Sequence, residues 1–163
     1  MADDFEYISH ARLEYRDGSR HAYLGDVPEP VVYGVQGALR QYYGVKEGPP
    51  VASTLDHIVA AVAGLMFGTL RGALAGRQIA FDRGSFMATV DGRISGIAKT
   101  IRIKSIHVHY DLAVPAEARE ATERALALHP EGCPAHQSVK DAIAITWDAS
   151  LRAGAETLSL RSA

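Results

Sequence analysis

The most apolar helix that the sequence predicts begins with Ser53-Thr54-Leu55-Asp56-His57-Ile58-Val59-Ala60-Ala61-Val62-Ala63-Gly64 and ends near residue 75. Ser53 or Thr54 is the expected N-cap, and Asp56 lies in the first turn, where a carboxylate interacts favourably with the helix dipole. The apolar side chains of this helix are distributed around nearly its whole circumference, and the small residues between them make the helix narrow. We therefore expect a central helix that another element can approach closely.

The composition is that of a soluble globular protein. The chain has 163 residues, and its net charge of −2 gives no electrostatic basis for binding nucleic acid or an anionic membrane. The first residues lack the features of a signal peptide, and the longest apolar run, residues 58–70, is too short to span a bilayer. The single cysteine argues against a secreted disulfide scaffold. We expect one domain over residues 1–163, located in the cytoplasm, with no nucleic-acid or membrane partner.

Turn signals and alternating apolar residues predict the remaining elements. Asp17-Gly18 indicates a hairpin, and Asp91-Gly92 indicates a second tight turn between two strands. Residues 25–50 form a loop-rich connection with a short helix over 35–43, and residues 153–163 are an expected disordered tail. We predict strands over 11–16, 19–24, 31–33, 86–90, from 93 onward, over 101–114 and over 143–151, and further helices over 115–128 and 133–142. This order indicates the α+β class.

The strand over 101–114 changes phase. Ile101 and Ile103 are apolar at odd positions, whereas the apolar residues from Ile106 onward stand at even positions. Because side chains alternate between the two faces of a strand, one face holds both sets only if an extra residue intervenes. We predict a β-bulge near Lys104-Ser105; the alternative is that both faces are covered at the start of the strand.

Cys133 is the first candidate for chemistry. Pro134 suits the first helical position, which places Cys133 at the N-cap, where unpaired backbone N–H groups favour a thiolate. His136 could share its helix face and lower the thiol pKa further. The alternative interpretation is a small hydrophobic side chain in a packed core.

His107, His109 and Asp111 alternate on one face of a strand. Two histidines and an aspartate can ligate zinc, but the solvated face of an antiparallel sheet has the same pattern, and we prefer that interpretation. The sequence also lacks a glycine-rich phosphate loop, a nucleophilic-serine elbow and a paired-cysteine motif. We expect no metal and no cofactor.

Four segments, taken together, resemble the OsmC/Ohr family of small thiol-dependent hydroperoxide reductases. Residues 54–64 are similar to the family's Pro-Glu-Glu-Leu-Leu-Ala-Ala-Ala helix start, and Gly132-Cys133-Pro134-Ala135-His136 is similar to its Cys-Pro-Val-Ser helix opening. Two further matches are Ile101-Arg102-Ile103-Lys104-Ser105, followed by Ala113-Val114-Pro115, and Ile143-Ala144-Ile145 in the last strand. The resemblance covers about residues 50–151 and is carried by the order and spacing of these segments.

The resemblance implies an OsmC-like fold, in which an antiparallel sheet wraps around two central helices, and an intertwined homodimer with sites at the subunit interface. It also implies a peroxiredoxin-like role in oxidative-stress defence. In that mechanism one cysteine attacks the peroxide and becomes a sulfenic acid, and a second cysteine resolves it as a disulfide that a thiol reductant reopens.

Carried onto this chain, the resemblance assigns Cys133 to the resolving position. Arg16 matches the arginine of the N-terminal hairpin, and Asp56 matches the glutamate that pairs with it, one methylene shorter. The position of the peroxide-attacking cysteine falls on Leu65, which can neither ionise nor reduce a peroxide. The usual dithiol cycle is therefore lost, and whether the chain is an enzyme stays open.

Three hypotheses follow. The first is a one-cysteine peroxidase, in which Cys133 attacks a small hydroperoxide, His136 activates it, Arg16 and Asp56 assist, and an external thiol reduces it. The second is a non-catalytic binder of a small apolar ligand in an interhelical cleft. The third is a structural or regulatory dimer. The lining residues expected for the cleft are Leu65, Met66, Phe67, Tyr42 and Tyr43, although tyrosines that cap a core edge fit the same sequence.

Overall fold

The computed structural model of the protein describes residues 5–82, 84–97 and 100–163. The chain groups into two compact units, Met1–His57 and Ile58–Ala163. Both helices and strands occur, which confirms the α+β class. The expectation of a single domain stays a prediction.

The first unit contains a three-stranded antiparallel sheet in the order β1-β2-β3 and a short helix. These elements are β1 (Ala11–Arg16), β2 (Ser19–Leu24), β3 (Val31–Tyr33) and α1 (Gly37–Tyr42). Asp17 and Gly18 have positive φ angles of 52° and 76°, as the tight turn of a hairpin requires. The predicted hairpin and the predicted short strand are confirmed.

The long helix α2 spans Thr54–Gly76 and begins with a reciprocal cap. The N–H of Asp56 donates to Ser53 Oγ at 3.1 Å, and the N–H of Ser53 donates to the Asp56 carboxylate at 2.7 Å. This capping box gives hydrogen-bond partners to two backbone donors at the start of the helix. The predicted N-cap and the place of Asp56 are confirmed.

One side of α2 is buried and the opposite side is exposed. The buried residues are Val59, Val62, Ala63, Met66, Leu70 and Leu74. The exposed side also carries apolar side chains, among them Ile58 (44% exposed) and Leu65 (43% exposed). The expectation that the whole helix is central is therefore wrong for the single chain, because the described residues cover only one of its apolar sides.

By length and composition alone, the 23 residues of α2 could also cross a membrane. The uninterrupted apolar run within it, residues 58–70, is shorter than the helix. One helix of this kind is weak evidence, since core helices of soluble proteins have the same length and composition. The absence of a membrane partner stays a prediction.

The second unit is built on a four-stranded sheet in the order β4-β5-β6-β7. Its strands are β4 (Met87–Ile97), β5 (Thr100–Val114), β6 (Ala144–Ala153) and β7 (Glu156–Arg161). The outer pairs are antiparallel, as in the sheet that the resemblance implies, but β5 and β6 are parallel. A parallel pair needs a crossover connection. Here the connection contains a 3-10 turn (Ala116–Ala118), α3 (Arg119–Leu128) and α4 (Pro134–Val139).

The tight turn predicted at Asp91-Gly92 is wrong, since both residues lie inside β4 and pair with His107 and Ile106. The glycine has a different role. A Cβ atom at Gly92 would lie 2.4 Å from Cγ2 of Val59 on α2. Gly92 therefore lets the helix approach the sheet closely, and its positive-φ tolerance is not used.

The predicted β-bulge is confirmed. Arg93 pairs with Ser105 and the next residue, Ile94, pairs with Ile103, which leaves Lys104 as the extra residue on β5. Buried positions along β5 change from odd to even across Lys104. Both apolar sets therefore face the same side of the sheet.

The expectation of a disordered tail is wrong, because residues 156–161 form the edge strand β7. Gly154, with φ of 62°, allows the turn between β6 and β7. Leu158 and Leu160 then pair with Leu151 and Ala149 of β6. The alternation of these two leucines is a strand signal that the small, polar composition of the tail conceals.

Candidate functional site

Cys133 lies at the N-cap of the six-residue helix α4, with Pro134 at the first helical position, as the sequence predicts. Its side chain is fully buried, with 0% exposed, and it is a free cysteine. A thiol in this position is out of reach of a peroxide in bulk water unless the surrounding core opens. The burial favours the core interpretation of Cys133, and a catalytic role for it stays a prediction.

The polar groups around Cys133 form a closed hydrogen-bond network. His129 Nδ1 lies 2.7 Å from the Leu126 carbonyl oxygen, and His129 Nε2 lies 2.8 Å from the Tyr110 hydroxyl. The neutral ring therefore donates from Nδ1 and accepts the Tyr110 proton at Nε2. Burial lowers the pKa of His129 to about 4. Burial also raises the pKa of Tyr110, and the neighbouring Cys133 adds to this rise.

His136 is a poor activator of Cys133. Burial and the nearby Lys140 lower the pKa of His136, although the Pro130 carbonyl opposes them. Its Nδ1 atom is buried, and none of the described residues gives it a hydrogen-bond partner. The ring is therefore neutral near pH 7, whereas stabilisation of a thiolate requires an imidazolium.

The predicted pair of Arg16 and Asp56 is not among the ion pairs of the described residues. The Asp56 carboxylate accepts hydrogen bonds from the backbone and hydroxyl of Ser53 and from the Gln36 amide at 3.0 Å. Partial burial alone would raise the pKa of Asp56, but these hydrogen bonds outweigh it and hold that pKa below its usual value. Arg16 is about half exposed, and its Nε lies 3.7 Å from the carboxylate of Asp17.

The residues expected to line an interhelical cleft occupy different environments. Met66 is fully buried and Leu65 is exposed on α2. Tyr42 and Tyr43 belong to the first unit, where their rings meet edge to face at 4.9 Å. Phe67 stacks on Phe86 with a centroid distance of 4.4 Å. That these five residues line one cleft stays a prediction.

Phe67 instead lines an open apolar groove between α2 and β4, with a volume of about 420 Å³. The helix contributes Ala60, Ala63, Gly64 and Phe67, and the strand contributes residues 87–90. None of the described residues that line this groove is charged. Small residues on the helix leave the space that a ligand needs, and the aromatic ring of Phe67 offers a flat apolar contact. The sequence shows the small residues, but it does not show that β4 lies opposite them.

The third group beside the two strand histidines is Asp148, and not Asp111 as the sequence suggested. Asp148 Oδ1 lies 2.6 Å from His109 Nδ1 and 3.4 Å from His107 Nε2. Asp111 is bound instead by Arg152 at 2.7 Å. Within the described ranges, no three histidine, cysteine or acidic side chains are arranged to hold a metal ion. Sequence spacing could not reveal Asp148, because it lies on the neighbouring strand β6.

Comparison with known proteins bears on the fold. No protein-family model and no curated protein matches the chain. Among solved structures, an OsmC-like protein of Vibrio cholerae has a TM-score of 0.65 at 10% identity, over 90% of this chain and 99% of that chain. The OsmC-like protein of Mycoplasma pneumoniae has a TM-score of 0.60 at 16% identity, over 91% and 99% of the two chains.

An organic hydroperoxide resistance protein from Elizabethkingia anophelis has a TM-score of 0.64 at 13% identity, over 92% of this chain and 99% of that chain. At this level of identity the likeness concerns the fold, and it extends over nearly the whole chain in each comparison. The fold that the sequence resemblance implies is confirmed: the chain has the architecture of OsmC-like and organic hydroperoxide resistance proteins.

Proposed function

We propose that this chain is an OsmC/Ohr-like protein that has lost the dithiol peroxidase cycle and binds a small apolar molecule in the groove between α2 and β4. Loss of the cycle follows from the number of cysteines. A disulfide between an attacking and a resolving cysteine needs two thiols in the chain, and this chain has one. The resemblance assigns the position of the missing sulfur to Leu65.

The groove is the observation that carries the binding function. Its volume of about 420 Å³ lies within the range of pockets that hold small organic ligands. Among the described lining residues, only Thr89 has a polar side chain. The groove therefore favours an uncharged, largely apolar molecule, such as the alcohol that forms when an organic hydroperoxide is reduced.

Cumyl alcohol, an unreactive analogue of cumene hydroperoxide, tests this proposal in a calorimetric titration of the full chain. We expect saturable binding, which Ala60→Trp weakens at least tenfold because the indole fills the groove. Ala75→Trp is the matched control, since it places the same side chain at the exposed end of α2, and it should bind as the parent does. Failure of the parent to bind, or equal binding by Ala60→Trp, contradicts the proposal.

The one-cysteine peroxidase is the competing function, and the position of Cys133 at a helix N-cap is the observation that favours it. The burial of the thiol argues against it. We expect neither the parent nor Cys133→Ser to consume cumene hydroperoxide in the presence of dithiothreitol. Consumption by the parent that Cys133→Ser abolishes would replace the binding function with the catalytic one.

The protein is also proposed to be a homodimer in the cytoplasm. Support comes from the exposed side of α2, where Ile58 and Leu65 lie on the same helix face as Gly68 and Gly72. A Cβ atom at Gly68 or Gly72 would meet no other atom within 4 Å, so nothing in the described chain covers this side. Light scattering should give twice the chain mass, and Gly68→Glu should shift the protein towards the monomer.

A further inference from the structure

A second cavity lies wholly within the first unit, between the sheet, α1 and the start of α2. Its volume is about 270 Å³, at the small end of the range for ligand pockets. Val35, Leu39 and Leu55 supply apolar walls, and the rim carries Arg20 and Tyr43. This cavity and the groove between α2 and β4 share no residue, so a ligand could bind in one without the other.

Arg20 contributes a positive charge and hydrogen-bond donors to this cavity. One nitrogen of its guanidinium donates to the Gly34 carbonyl at 3.3 Å, a long hydrogen bond that leaves most of the fork unused. Among the described residues, no carboxylate lies within 4.0 Å of this guanidinium. Asp56, the acidic residue nearest in sequence to the lining residues Thr54 and Leu55, accepts hydrogen bonds at its Oδ2 from Ser53 and Gln36 and makes no ion pair with Arg20.

We infer that this cavity binds a small carboxylate with a compact apolar body. An arginine fork matches the two oxygens of a carboxylate, which gives both charge and geometry. One cation beside apolar walls compensates one negative charge. The single positive charge matches the one negative charge of a carboxylate better than the two of a phosphate dianion. The three aliphatic walls fit a short alkyl or aryl group in the space behind the carboxylate.

Arg20 also stands between two aromatic residues on its own sheet. It pairs with Tyr15 on β1 and with Tyr33 on β3, so the three side chains point to the same face. Tyr33 in turn meets the ring of His57 edge to face, with centroids 5.1 Å apart. Aromatic side chains therefore lie on the same sheet face as Arg20.

Titration of the full chain with hexanoate and with hexanamide, which has the same alkyl chain and no charge, tests the inference. We expect hexanoate to bind at least tenfold more tightly than hexanamide, and Arg20→Met to abolish that difference. Arg12→Met is the matched control, because Arg12 lies over the Tyr23 ring of the same sheet and outside the cavity. It should retain the preference for the acid.

Leu39→Trp, which fills the cavity and keeps the arginine, should weaken both ligands. Equal binding of acid and amide by the parent would overturn the inference, as would an equal loss in Arg12→Met and Arg20→Met. Ala60→Trp separates the two cavities. It should leave hexanoate binding unchanged whether or not the apolar groove binds cumyl alcohol.

Discussion

Histidines lie in opposite environments on the two faces of strand β5. Tyr110 points into the core and bonds the buried His129, whereas His107 and His109 point to the other face, where they share Asp148 at the solvent boundary. On the buried face each polar atom of the pair has one partner and no access to water. On the open face water can replace a lost partner. The same residue type should therefore matter far more to stability on one face than on the other.

Acid should reveal the largest difference between the faces. The pKa of His129 is about 4 in the folded chain, against about 6.5 for an unperturbed histidine. The unfolded chain thus binds more protons between these values, so the contribution is complete above pH 6.5 and is lost as the pH falls towards 4. We expect this residue alone to remove about 3 kcal/mol of unfolding free energy over that window.

Urea unfolding of the parent, His129→Leu and His109→Gln at several pH values isolates this contribution. The slope with pH should flatten in His129→Leu and persist in His109→Gln. A parent-like slope in His129→Leu would assign the acid sensitivity to the carboxylates instead.

Removal of one hydroxyl should have the second-largest effect. Tyr110→Phe keeps the ring and leaves His129 Nε2 buried without a donor, which should lower the unfolding free energy by about 1–3 kcal/mol at pH 7.5. Chemical denaturation measures the change. A loss well under half a kilocalorie would mean that water enters the core and bonds the ring.

The open face should give the smallest effect. Asp148→Asn removes the charge that both histidines share, yet the pairs are about 40% exposed, so we expect a change of about 0–1 kcal/mol. Denaturation at low and at high salt would show how much of it is electrostatic. A loss as large as that of Tyr110→Phe would erase the contrast between the two faces.

Local signals in the sequence predicted much of the fold. The turn at Asp17-Gly18, the cap at Ser53 and the extra residue at Lys104 each follow from neighbours in the chain. The errors arose where tertiary contact decides. Gly92 looked like a turn residue because its role, contact with Val59, depends on a helix more than thirty residues away in the chain.

The candidate site was harder to predict for the same reason. The sequence placed Cys133 correctly at the start of a helix, but it could not show that the thiol is fully buried and close enough to Tyr110 to raise the pKa of that residue. Arg16 lies in the hairpin and Asp56 in the first turn of α2, as the sequence predicts. The Asp56 carboxylate, however, accepts hydrogen bonds from Ser53, three residues before it. Local capping satisfied a carboxylate that the family resemblance assigned to an arginine.

Because Cys133 is the one thiol of the chain and is buried, its accessibility can be measured directly. A thiol-reactive dye has one target, and that target is shielded in the folded protein. The rate of labelling therefore measures how often the core around α4 opens, residue-specifically and without any mutation. The rate of labelling relative to that of the unfolded chain at the same pH, which corrects for the loss of thiolate, should rise as the pH falls from 6.5 towards 4, because protonation of His129 favours the open state.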